Sequence, residues 1–247
     1  MPLGGDRDPP GGPGLKSRFV QRAGARAVRV ACAVYPRHSH VVDVINQTAK
    51  LKAWIRAHAD LPTFSNRLLL YKYVNETCCG GGPVDYLEFG VAAGESMRHW
   101  TQVNTHPESR FVGFDTFEGL PEYWYFDLPK GSLSQQGKIP QMGDPRVSFH
   151  KGLFQETLPG FLQQFRARSK LVIHHDSDLY SSTLYCLTKL DDLCTKGTVL
   201  VFDEFASPLH EFRAYEDYLL SYRRALRPTG GALDRHGDLL TAAFAYD

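Results

Sequence analysis

No run of about 18 apolar residues occurs in the 247-residue sequence, so nothing in it reads as a membrane-spanning helix. Excess charge is missing too. With 28 basic and 27 acidic side chains the net charge is +1, which removes the global electrostatic footprint of a nucleic-acid binder. The five cysteines are an odd number, contain no C-x-x-C pair, and include the adjacent Cys78 and Cys79. That pattern excludes a disulfide framework and a zinc site, and points to reduced thiols in a cytoplasmic protein. There is no internal repeat. The fingerprint G-x-G-x-x-G is absent as well, which weakens the case for a bound pyrophosphate.

What is present is a hydrophobic content of 43%, enough for a core in one large α/β domain. Charge is uneven along the chain. Residues 1–37 hold seven basic side chains and two acids, so the Pro/Gly-rich segment 1–38 reads as a basic, solvated arm. Val41, Val44, Ile45, Leu51, Trp54 and Ile55 fall at helical spacing and predict a helix over 40–58. "LPTFSNRLLLYKYVNET" predicts a second helix, capped by Thr63 or Ser65 and stopped by "CCGGGP". Residues 39–80 are therefore expected to be a helical N-terminal segment. These helices can border a ligand or form a homo-oligomer contact.

From residue 81 the rhythm changes. Strands are predicted at 84–91, 110–117, 147–152, 170–176, 197–205 and 239–247, with helices between them. This alternation implies a Rossmann-like α/β fold over 81–247, a mostly parallel sheet with helices on both faces. In such sheets ligands bind beyond the carboxyl ends of the strands, near the switch in strand order. The residues at those ends become the candidates.

The turn "LEFGVAAGES" carries Glu88, Gly90, Gly94 and Ser96. It reads equally as a tight β–α turn or as a cradle for a ligand, and Glu88 suits an ammonium group rather than a phosphate. Asp115 ends the next strand, where an acid either caps a turn or accepts from ribose hydroxyls. Asp176 ends "KLVIHHD", and Asp203 and Glu204 end "GTVLVFDE". Neighbouring strands would gather these three carboxylates, and a hard divalent ion, Mg2+, suits an all-oxygen set. Ordinary caps and surface acids are the alternative. Asp178, two residues past Asp176, is the candidate general base. Tyr180 and Ser181, Ser182 and Thr183 read as the cap of the following helix. His174 and His175 read as core histidines satisfied by backbone, and Asp191 and Asp192 as solvated helix acids.

Five motifs in one order, "LEFGVAAGES", "GFDTFEGLPE", "HKGLFQETLP", "HHDSDLYSST" and "GTVLVFDEF", resemble the TylF-type, or macrocin O-methyltransferase, family of class I methyltransferases. The resemblance spans about Phe64 to Phe205. It implies a seven-stranded sheet and S-adenosylmethionine as cofactor. Its methionine part would lie at the glycine turn near Glu88, its ribose at Asp115, and its adenine beside Gly152 to Phe154. It further implies metal ligation by Asp176 and the Asp203–Glu204 pair, a base at Asp178, and a small-molecule hydroxylated acceptor such as a sugar. Antibiotic-pathway relatives carry Asp-Asp where this chain has Asp203-Glu204. The long segment 118–146, with Tyr123, Trp124, Tyr125 and Phe126, is expected to be a lid over the acceptor or an aromatic cluster on the sheet. Two other classes stay open at this stage: an NAD(P)-linked oxidoreductase, and a non-catalytic binding module on the same fold.

Overall fold

The computed structural model describes residues 40–124 and 128–247. The basic arm, Tyr125 and Phe126 lie outside the described residues. Helix α1 covers residues 40–57. The chain divides into two units, Met1–Asn46 and Gln47–Asp247, and the second contains the sheet.

That unit runs β1 (Thr63–Phe64), α2 (Arg67–Thr77), β2 (Val84–Phe89), α3 (Glu95–Val103), β3 (Arg110–Asp115), β4 (Val147–Lys151), α4 (Phe154–Gln164), β5 (Lys170–His175), α5 (Tyr180–Leu190), a 3₁₀ turn (Asp191–Leu193), β6 (Val199–Phe202), α6 (Glu211–Tyr222), β7 (Leu226–Leu233) and β8 (Leu239–Tyr246). The strands form one sheet in the order β1-β7-β8-β6-β5-β2-β3-β4. Pairing is parallel except where β8 runs antiparallel to β6 and β7. From β2 the chain winds outward through β3 and β4, then returns to build β5 and β6 on the other side. The strand order therefore switches between β2 and β5, and a crevice is expected at the carboxyl ends of that pair.

Alternation along each strand sends side chains to opposite faces. Val84 and Tyr86 of β2 pack with Leu70, Tyr71 and Val74 of α2 and Met97 and Trp100 of α3. Leu87 and Phe89 point the other way, into a cluster with Leu158 of α4, Leu187 of α5 and Phe212 and Tyr215 of α6. Tyr71, Tyr86 and Trp100 have no exposed surface. Burial of each large apolar side chain contributes about 1.5–3 kcal/mol, so the two layers fix the helices on the sheet.

The eighth strand is the two-residue edge β1, which falls inside the segment predicted to be helix. Helix α2 begins later than expected. Its cap is Asn66, whose Oδ1 accepts from the Leu69 amide at 3.1 Å, rather than Thr63 or Ser65. Helix α6 ends at Tyr222, with Arg223 left-handed at its C-cap, and Leu226 soon after opens β7. That strand was hidden by Pro228, Gly230 and Gly231. The structure gives the glycines a reason: a Cβ on Gly230 would stand 3.0 Å from Leu70 Cδ1, and one on Gly231 2.4 Å from Leu239 Cδ1. A bulge at Pro228–Gly230 absorbs the missing donor.

Candidate functional site

A cavity of about 490 Å³ opens at the switch point. It is lined by Gly90 and Ala92 after β2, Asp115 and Thr116 at the end of β3, and Leu153, Phe154 and Glu156 after β4. Asp176, Ser177 and Asp178 after β5, Ser181 and Ser182 of α5, and Gly119 to Glu122 with Leu133 of the long segment complete it. Its size suits a small ligand or cofactor.

Gly90 is required by the crowding of two chains. Its φ is +94°, and a Cβ would fall 1.7 Å from the Asp176 carbonyl oxygen. The ends of β2 and β5 thus meet backbone to backbone, which a side chain would forbid. Asp115 holds the next residues. Its Oδ2 accepts from the Val91 and Ala92 amides at 2.8 Å each, and its Oδ1 from Phe117 at 2.7 Å. The carboxylate therefore acts as the turn cap while also facing the cavity. Ala92 (φ 45°) and Asp178 (φ 61°) both adopt the left-handed conformation, backbone strain of the kind that gathers at binding sites.

Of the residues the sequence singled out, Gly90, Asp115, Phe154, Asp176 and Asp178 reach this cavity. Gly94, Ser96, Gly152, Glu88, Asp203 and Glu204 do not line it. Gly94 opens α3 with φ +77°, and Pro140 and Met142 of the long segment lie over it. Ser96 is buried in α3. Gly152 donates its amide to the Asp115 carbonyl at 3.0 Å and so fixes the start of α4.

Beneath the cavity lies a layer of acids. Glu88 is fully buried. Its Oε2 accepts from Tyr86 Oη at 2.7 Å, and its Oε1 has no partner. Burial pushes its pKa up to about 8 against the hydrogen bond from Tyr86. Burial, together with the Asp203 and Asp115 charges, raises Asp178 to about 7. Burial and the Asp203 and Asp178 charges raise Glu204 to about 7, and burial with Asp203 and Asp178 holds Asp176 well above the usual carboxylate range. Asp203 goes the other way. Its burial is overcome by His174, Arg67 and Tyr71, which hold it below the usual range.

Among the described residues, the three atoms near enough to share an ion come from His174, Asp176 and Asp203, all within 4.8 Å of one another. Glu204 does not join them; its backbone amide donates to Glu211 Oε2 at 2.9 Å. The set fits the expected Mg2+ poorly. It contains an imidazole, whereas Mg2+ selects oxygen ligands in octahedral geometry. The ligand atoms are also engaged: Arg67 Nη1 and Tyr71 Oη donate to the two Asp203 oxygens. His174 Nδ1 and Nε2 lie 2.7 Å and 3.2 Å from Tyr86 Oη and Tyr71 Oη. His174 is thus held by two phenols and not by backbone, as the sequence suggested. Fully buried His175 has no hydrogen-bond partner at either nitrogen. It stacks between Phe89 and Phe202, and burial drives its pKa down to about 3.

Other expectations also change. Asp191 is not solvated. It is buried, bonded by Arg224 through two nitrogens at 2.8 and 2.6 Å and by Tyr218 at 2.6 Å. The hydroxyl cluster does not cap α5, whose N-cap is Leu179 with no side-chain bond. Ser181 instead donates to Glu122 at 2.5 Å, tying α5 to the long segment. Arg67, Tyr71 and Glu211 escaped the sequence reading. Arg67 and Tyr71 do stand one turn apart in "NRLLLYKY", the spacing that puts both on one helix face.

Residues 87–205, just under half of the chain, match a family model described as a methyltransferase domain. Among solved structures, the chain is similar to the calicheamicin methyltransferase CalS11, with 23% identity, a TM-score of 0.55, and coverage of 72% of this chain and 77% of that one. It is similar to the O-methyltransferase NovP, at 20% identity, TM-score 0.53, covering 73% and 79%. A third is an O-methyltransferase from Bacillus cereus in complex with SAH, at 16% identity, TM-score 0.51, covering 81% and 90%. No curated protein matches the sequence. At these identities the likeness is one of fold: the chain has the class I methyltransferase fold, and its sequence match runs from within β2 to just past β6.

Proposed function

We propose that the protein is an S-adenosylmethionine-dependent O-methyltransferase acting on a hydroxyl of a small molecule, such as a sugar. The observation that carries this reading is the cavity at the β2–β5 switch point, which joins the Gly90 turn and Asp115 to Asp178 in one space. The residues fit the cofactor. Gly90 lets the turn after β2 run against the Asp176 backbone at the cavity wall, Asp115 keeps acceptor capacity facing the cavity, and Glu88 has a buried oxygen without a partner. An orphaned buried carboxylate is costly until a cation or proton meets it. Asp115 would meet the cofactor's ribose and Leu153 and Phe154 its adenine, while Glu88, beneath the cavity, would answer the charge of its ammonium from below.

When bound, S-adenosylmethionine supplies a methyl group on a positively charged sulfur. The chain's own task is to orient the acceptor hydroxyl and remove its proton. Asp178 is the group for that step. It faces the cavity, its left-handed backbone fixes its direction, and a pKa of about 7 keeps it half ionised at neutral pH. Glu122 and Ser181, bonded across the cavity rim, close the acceptor side. Magnesium has no part in this reading, because the Asp203 oxygens are already engaged.

Calorimetric titration of S-adenosylmethionine and S-adenosylhomocysteine tests the proposal. Both should bind, and Asp115→Ala should weaken binding by at least about tenfold, or 1.4 kcal/mol. Asp178→Asn should keep S-adenosylhomocysteine binding. Methyl transfer to a panel of glycosides should fall by about 10²-fold or more in that variant. A folded protein that binds neither compound overturns the reading.

A further inference from the structure

We propose that the guanidinium of Arg67 is the built-in cation of the acid cluster at the ends of β5 and β6, standing where a divalent metal would have to sit. Arg67 Nη1 donates to Asp203 Oδ2 and lies 3.9 Å from Asp176 Oδ2, while Nη2 donates to Glu95 Oε2 at 2.7 Å. One side chain thus meets three carboxylates from β5, β6 and α3. Asp203 is only 2% exposed while the Arg67 side chain is 32% exposed, so the carboxylate end of the pair is withdrawn from solvent and the guanidinium reaches it from the surface.

The rest of α2 completes the arrangement. Tyr71, one turn beyond Arg67, donates to the second Asp203 oxygen and approaches His174 Nε2. Tyr86 takes the other imidazole nitrogen. Only Asp176 of the three nearby ligand residues is partly exposed, with a quarter of its side chain accessible, and it lines the cavity. A divalent ion placed among these groups would confront a guanidinium within a few ångströms. It would also have to displace the guanidinium from Asp203, leaving that almost fully buried carboxylate without its cation. Proton loss offers no escape, because arginine stays charged at any working pH.

The chemical consequence is specific. A guanidinium balances the charge of Asp203 and holds its direction beside Asp176, but it is not a Lewis acid and does not acidify an acceptor hydroxyl. The proton must then leave to Asp178 without metal assistance. This consequence rests on the methyltransferase reading. The cation assignment itself rests only on the geometry of α2 and the strand ends.

The two are tested separately, with Mn2+ as the probe. Electron paramagnetic resonance follows free Mn2+ as full-length protein is added, and S-adenosylhomocysteine binding is followed by calorimetry on the same samples. The wild type should leave Mn2+ free. Arg67→Ala should bind one equivalent, and the double variant Arg67→Ala/Asp176→Asn should lose it again. Circular dichroism verifies folding, and Arg67→Gln replaces the alanine variant if that one does not fold. Stoichiometric Mn2+ binding by the wild type, abolished in Asp176→Asn, overturns the proposal. So does a folded, uncharged Arg67 variant that still ignores Mn2+, since the guanidinium would then not be what holds the metal out. Failure of S-adenosylhomocysteine to bind defeats the methyltransferase reading and leaves the Mn2+ result standing.

Discussion

Glu88 shows what a single residue contributes to the site. It follows Leu87 in a strand whose six residues are all buried, and it turns toward α2 and α3 with one oxygen bonded and one bare. In an unfolded chain its carboxyl would titrate near 4.3, whereas in the fold its pKa is about 8. Between those values the folded state holds a proton that the unfolded state has lost. Its contribution to stability is therefore fully present below about pH 4.3 and disappears as pH rises through about 8. The slope approaches about 1.4 kcal/mol per pH unit for a group this buried. Glu88→Gln carries a permanent neutral equivalent and should flatten that part of the stability profile. Urea unfolding of the apo protein at pH 5, 6.5 and 8 measures it: the wild type should lose stability across the series more steeply than the variant. Equal slopes would mean that Glu88 is already ionised and partnered in the fold. The sequence showed Glu88 as an acid at a strand end. It could not show that one oxygen is unpartnered, because that depends on Tyr86 and on packing from α2 and α3.

At the scale of elements, the meeting of β2 and β5 creates the cavity. Gly90 brings the two strand ends into backbone contact, and the turn then leaves the sheet under the hold of Asp115. Gly90→Ala combines a backbone collision at 1.7 Å with an unfavourable positive φ, and neither neighbour is a flexible side chain that could yield. The variant should lose at least about 3 kcal/mol or fail to fold, as seen by urea unfolding. A stability within about 0.5 kcal/mol of wild type would show that the strand ends can separate. Strand-end positions were legible in the sequence because short, near-continuous apolar runs end on Asp115 and Asp176 at regular strand–helix spacing. β7 was not, since Pro228, Gly230 and Gly231 are turn residues by composition. In the fold they pair with β8, and Leu70 of α2 and Leu239 of β8 leave no room for a Cβ on the two glycines. Helix α2 was legible as a helix, but its role was not. Arg67 meets Asp203 across 136 positions of sequence, and no local pattern announces a partner at that distance.

Across the whole molecule, the site places more acid than base at one point of a nearly neutral chain. Burial and mutual repulsion raise Glu88, Asp176, Asp178 and Glu204, and Arg67 is the cation that pulls each of them back down. With Asp203 ionised against Arg67, Glu88 keeps its proton in the empty fold at neutral pH, and Asp178 and Glu204 are about half protonated. A cationic ligand favours their ionised forms and must expel those protons as it binds. Its affinity therefore rises with pH through about 7 and 8, the values for Asp178 and Glu88, over the same window in which the apo protein loses stability. S-adenosylmethionine carries one more positive charge than S-adenosylhomocysteine, so the effect should be larger for the methylated compound. Thermal shifts at saturating concentrations of each, from about pH 6 to about pH 8, report this directly through the linkage of binding to stability. Both shifts should grow with pH, with S-adenosylmethionine gaining more. Shifts that stay flat for both compounds would mean that the acids under the cavity do not sense the ligand's charge, and that the acid layer serves the fold alone.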